Sequence, residues 1–109
     1  MSHVTNAILA FDVMDDDMPL ERINAGINGK GFTTVDDPEL PYGWYGGDKF
    51  LETPLLIGAF NYLDIDGLLR HLAALPWQHP ERVQLIVKDD NDDRFSILYP
   101  AAPEDPPSY

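Results

Sequence analysis

Residues 55–60 read LLIGAF, so every position of this stretch is apolar or glycine. A strand with one face in water alternates apolar and polar residues, whereas a continuous apolar run is typical of a strand covered on both faces. Residues 7–11, AILAF, have the same character. We therefore expect both stretches to be central strands of one sheet. Gly58 indicates a bulge, or a close approach of the backbone to a neighbour.

A helix is predicted directly after the 55–60 strand. Asp64 or Asp66 is a suitable N-terminal cap, and Pro76 ends the helical pattern. Apolar residues recur at three- and four-residue spacing, which places them on one face of the helix. These residues are Ile65, Leu68, Leu69, Leu72 and Leu75.

Two alternating strands are predicted next, over residues 83–88 and 94–99. They flank the polar stretch from Asp89 to Asp93, which is rich in turn-forming residues, so the pattern indicates a β-hairpin. Upstream, residues 15–17 are three aspartates that precede Pro19 and the helically spaced Leu20 and Ile23. We expect these aspartates to cap a short helix, followed by a short strand over residues 32–35.

The predicted order is therefore β-α-β-β-α-β-β, an α+β fold in one domain over residues 1–100. Both helices are expected on one face of a mainly antiparallel sheet, in a ferredoxin-like (split β-α-β) arrangement with the last strand added at an edge. The Pro-rich residues 101–109 are predicted to be a disordered tail. Because the central strands are apolar on both faces, the helix-free face predicts a homodimer, formed there or through the edge strand at residues 95–99.

Charge and composition exclude several classes of function. The 109 residues carry a formal net charge of −12, which disfavours direct binding to nucleic acid or to an anionic membrane surface. The chain has no cysteine, so disulfides, thiolate metal sites and cysteine nucleophiles are absent. No apolar stretch is long enough to span a membrane and no secretory signal is evident, so we expect a cytoplasmic protein.

No motif indicates a metal, a cofactor or a catalytic group. His71 and His79 are eight positions apart with a proline between them, which does not fit a helical metal pair. The 89–93 stretch lacks the glycine and glutamate that an EF-hand calcium loop requires, with Arg94 and Pro100 at those places. We therefore predict no metal and no cofactor, and an enzyme is the less favoured interpretation.

The acidic and aromatic residues predict a non-catalytic protein that inhibits or neutralises a basic protein partner, as immunity proteins, antitoxins and anti-defence proteins do. Carboxylates would steer the partner, and loop aromatics would supply the desolvated contacts. The candidate contact residues are Tyr42, Trp44, Tyr45, Asp15, Asp16, Asp17, Asp36, Asp37, Asp89, Asp90, Asp92 and Asp93.

A second hypothesis stays open. The aromatic loop would then close over the sheet and form a pocket lined by Trp44, Tyr45, Phe60 and His71. In that case the protein binds a small molecule, or is a cofactorless enzyme.

Overall fold

The computed structural model describes residues 4–35, 41, 46–48 and 51–100. The strands are β1 (Val4–Ala10), β2 (Thr33–Thr34), β3 (Leu55–Asn61), β4 (Gln84–Asp89) and β5 (Ser96–Leu98). The helices are α1 (Leu20–Asn24) and α2 (Ile65–Ala73), with short 3₁₀ turns at Val13–Asp15 and Pro80–Arg82. The predicted tail at 101–109 lies outside the described residues.

The five strands form one antiparallel sheet in the order β2-β3-β1-β4-β5. The α+β class predicted from the sequence is confirmed. Both continuous apolar runs lie inside the sheet: β1 is the middle strand, and β3 lies between β1 and β2. Within the described residues the helices cover only one face of these two strands, so their second face is apolar without a helix against it.

One face of this sheet and the two helices enclose the core. Along each strand, alternate residues point to the same side. Residues of β1, β3 and β4 on that side pack with both helices and with Trp77, whose indole N–H donates to the Leu72 carbonyl at 2.8 Å. The buried members are Ala7, Leu9, Phe11, Ile23, Phe32, Leu56, Phe60, Leu68, Leu72, Trp77, Val83, Leu85 and Val87.

The two helices differ in how well the sequence predicted them. In α2, the Asp64 carboxylate accepts the Gly67 backbone N–H at 3.0 Å, which is the expected N-cap. In contrast, α1 has only five residues, and its N-cap, Pro19, makes no side-chain hydrogen bond. The predicted cap by residues 15–17 is wrong, because Asp15 belongs to the preceding 3₁₀ turn and bonds elsewhere.

Gly58 marks a close approach and not a bulge. The pairing of β1 with β3 runs without interruption from Val4↔Asn61 to Ala10↔Leu55. The Phe60 ring lies over Gly58, and a Cβ atom there would be 2.5 Å from the ring carbon Cζ. Phe60 also contacts Phe32 edge-on, with the ring centroids 5.2 Å apart. The missing side chain therefore makes room for an aromatic pair in the core.

Within the described part of the chain, neither helix is long and apolar enough to cross a membrane.

Candidate functional site

Asp15 has a structural role that its sequence context does not reveal. Its side chain is only 2 % exposed, and its two carboxylate oxygens accept the backbone N–H groups of Gln78 at 2.7 Å and His79 at 3.1 Å. The carboxylate thus joins the segment after β1 to the segment after α2. Asp16 and Asp17, its two neighbours, are exposed. Of the triplet, only these two have exposed side chains.

The stretch between β4 and β5 is organised by its own aspartates. The Asp89 carboxylate accepts the hydroxyl of the buried Thr5 at 2.6 Å. The Asp92 carboxylate accepts the Asp89 N–H at 3.0 Å, and the Asp92 N–H donates to the Asp89 carbonyl. The Asp90 backbone N–H donates to the Val4 carbonyl. The Asp93 side chain is exposed. The Asp89 carboxylate therefore ties this stretch to β1, and the Asp92 carboxylate holds the turn itself.

The structure separates the two described acidic clusters. Asp89 pairs with Thr5 near the start of β1, whereas residues 15–17 follow its last residue, Ala10. At about 3.3 Å per residue, the seven residues of β1 put roughly 20 Å between these ends of the sheet. The clusters therefore do not form one continuous acidic patch.

A cleft of about 300 Å³ lies at the Ala10 end of the sheet. We call it the Asp16 cleft. Its walls are mainly apolar, and the carboxylates of Asp16 and Glu52 are exposed there. The lining residues are Phe11, Val13, Asp16, Met18, Leu20, Ile23, Thr34, Leu51, Glu52, Thr53, Pro54, Leu55 and Leu56.

Large apolar side chains are exposed at this cleft. Val13 is 51 % exposed and Leu51 is 42 % exposed, and both line the cleft. Met14, the next residue along the chain, is 57 % exposed. Exposed apolar groups beside carboxylates are the combination that protein interfaces use, with apolar contacts at the centre and charges at the rim. This cleft is therefore the best candidate site in the described residues.

An ion pair fixes the backbone beside the cleft. The Asp12 carboxylate accepts the Arg82 guanidinium and, at 2.8 Å, the Met14 backbone N–H, which caps the 3₁₀ turn. The hydrogen bond from Arg82 is the main reason that the pKa of Asp12 lies below its ordinary value, and the Met14 N–H lowers it further. The same pair raises the pKa of Arg82. Val13 and Met14 are thereby held at the surface.

Two residues of the alternative pocket, Phe60 and His71, lie in the described part of the chain, whereas Trp44 and Tyr45 do not. Phe60 lines a cavity of about 430 Å³ whose walls also include Lys30 and Asp64, and His71 is not among its lining residues. His71 instead packs on Gly26, and its Nε2–H donates to the Arg22 carbonyl at 2.7 Å. His71 thus joins α2 to α1.

Five predicted contact residues lie outside the described residues: Asp36, Asp37, Tyr42, Trp44 and Tyr45. Four residues at or beside the Asp16 cleft were not predicted from the sequence: Val13, Met14, Leu51 and Glu52. In the sequence, these four residues are marked only by apolar residues that stand next to acidic ones, between the predicted strands and helices.

The described residues contain no group of three His, Asp or Glu side chains that could hold a metal ion. Comparisons with protein-family models, with curated proteins and with solved structures found no match for this chain.

Proposed function

We propose that this chain is a non-catalytic binding protein that inhibits or neutralises a basic protein, and that the Asp16 cleft is its contact surface. The observation that carries the proposal is the exposure of Val13 and Leu51 beside the carboxylates of Asp16 and Glu52. A basic partner would place an Arg or Lys head near the two carboxylates, and apolar atoms against the cleft walls.

The charge of the whole chain supports a basic partner. With 19 acidic and 7 basic residues, the molecule attracts a cationic surface from a distance and speeds its encounter. The acidic turn at residues 89–93 contributes to this field from the other end of the sheet. Short-range contacts in the cleft then slow dissociation, since buried apolar contacts determine most of the residence time.

Three aromatic residues belong to the proposal on sequence grounds alone. We propose that Tyr42, Trp44 and Tyr45 also contact the partner, because tyrosine and tryptophan are enriched at the energetic centres of protein interfaces.

Affinity capture with charge-matched baits tests the proposal. The first bait is the unaltered chain, and the second carries Asp16→Asn with Glu52→Gln. The third carries Asp66→Asn with Asp93→Asn, which removes two exposed carboxylates near the other end of the sheet. We expect the lysate of the source organism to yield one stoichiometric basic protein with the first and third baits, and several-fold less with the second.

Equal losses with both altered baits would show that the chain attracts cations only through its net charge. Capture of nothing by the unaltered bait, at low and at high salt, would overturn the proposal.

A small molecule in the same cleft is the second candidate. About 300 Å³ with apolar walls and two carboxylates suits a small cation. A small cation that stabilises the unaltered chain in a thermal-shift screen, but not the Asp16→Asn/Glu52→Gln variant, would favour this second candidate.

The ferredoxin-like arrangement, the homodimer and the cytoplasmic location also stay predictions.

A further inference from the structure

The sheet face opposite the helices carries a row of isoleucines. The pairing registers place Ile57 beside Ile8, Ile8 beside Ile86, and Ile86 beside Ile97. These four residues come from β3, β1, β4 and β5, so the row crosses four adjacent strands. Thr33 of β2 extends it to the fifth strand. We call this side of the sheet the open face.

The open face differs from the rest of the molecule in its charge. Strand alternation places thirteen strand residues on this side, and none of them is Asp or Glu, although the chain has 19 such residues. Lys88 is the single charged residue among these thirteen, and the flexible stem of a lysine lets the ammonium group reach the rim. The face can therefore lose its water at low electrostatic cost.

Apolar side chains on the β5 side of this face are exposed in the described structure. Ile97 is 52 % exposed. Phe95 and Tyr99, which follow the same alternation on either side of it, are 46 % and 47 % exposed. Together with the half-buried Ile8 and Ile86, they form an apolar surface of a kind that is uncommon on a monomer.

From this geometry we infer that the open face binds the open face of a second copy of the chain. Two copies that met through their other surfaces would bring carboxylates together, whereas these faces carry none on their strands. A two-fold axis that lies between the two sheets, parallel to their planes and over Ile8 and Ile86, lays the isoleucine row of one copy against that of the other.

The size of the face fits a dimer of modest affinity. The 25 residues of the five strands, each covering about 4.8 by 3.3 Å, give an area of roughly 400 Å² in projection. The side chains that stand on it present more accessible surface than this. A standard interface buries about 800 Å² per partner, and weaker ones bury less.

Sedimentation equilibrium at low and high micromolar concentration tests the inference with two matched variants. Ile97→Asp places a carboxylate on the open face. Ser96→Asp places the same charge one residue away, on the other side of β5, where the side chain is exposed as well. We expect the unaltered chain and Ser96→Asp to reach twice the 12.3 kDa of one chain. Ile97→Asp raises the dissociation constant about tenfold or more, because it buries an unpaired carboxylate.

Circular dichroism shows whether Ile97→Asp folds. If it does not fold, Phe95→Asp is the second variant on the same face. A mass of 12.3 kDa for the unaltered chain at every concentration would overturn the inference. So would a dimer that survives both Ile97→Asp and Phe95→Asp, since its interface would then lie elsewhere. If the chain is monomeric and Ile97→Asp unfolds it, the chain covers its own face.

Discussion

At the level of single residues, neighbouring aspartates have different roles. Asp15 is buried and accepts two backbone N–H groups from Gln78 and His79, whereas Asp16 is exposed. We expect Asp15→Ala to lower the free energy of unfolding by about 1–3 kcal/mol, because the two donors lose their acceptor. Asp16→Ala should change it by less than about 0.5 kcal/mol, as surface substitutions generally do. Urea unfolding of the two variants measures the difference. Equal effects would mean that the Asp15 bonds do not support the fold.

The Asp12–Arg82 pair predicts a pH dependence. The pKa of Asp12 is lowered in the folded chain, mainly by the hydrogen bond from Arg82, so the ionised carboxylate favours folding. That stabilisation is fully present above the unfolded pKa of about 3.9, and it is lost as the pH falls through the lower folded value. The stability difference between the unaltered chain and Arg82→Gln should therefore be constant near neutral pH and shrink below about pH 4.

Urea titrations at a series of pH values measure this difference. Arg70→Gln, on the exposed surface of α2, is the control for loss of one positive charge. A difference between the unaltered chain and Arg82→Gln that stays unchanged, or grows, in acid would contradict the prediction.

At the level of elements, the sequence predicted those helices and strands whose caps and apolar patterns lie close together along the chain. The cap and apolar face of α2 lie within a few residues of each other. The cap is Asp64, one of the two candidates predicted, and Leu68 and Leu72 of the predicted apolar face are buried. The LLIGAF stretch, five apolar residues and a glycine, forms most of β3, an inner strand of the sheet. The start of α1 was not predictable, because Asp15 bonds to Gln78 and His79, more than sixty residues further along the chain.

In the candidate site, too, the residue types could be predicted from the sequence, but their arrangement in space could not. Acidic residues can be read from the sequence, but their positions on the sheet depend on strand pairing. Only the register shows that residues 15–17 and 89–93 lie at opposite ends of β1. Likewise, Val13 and Leu51 meet at one cleft because the segments after β1 and before β3 adjoin through strand pairing. The sequence pattern did predict apolar residues on both sides of β1 and β3, but not one isoleucine row across four strands.

At the level of the whole molecule, the net charge of −12 acts in opposite directions on the two proposed associations. Two copies repel each other through their carboxylates, whereas a basic partner is attracted. The Debye length falls from about 30 Å at 0.01 M salt to about 10 Å at 0.1 M, so added salt screens both effects. Self-association through the open face should therefore strengthen as salt is raised over this range, while retention of a basic partner weakens.

Sedimentation equilibrium of the unaltered chain at the two salt concentrations measures the change in self-association, with Ser96→Asp as a control that adds charge outside the face. A dimer that dissociates as salt is added would be held by ion pairs. Since the open-face residues of the strands include no carboxylate, such a dimer would have to use another surface.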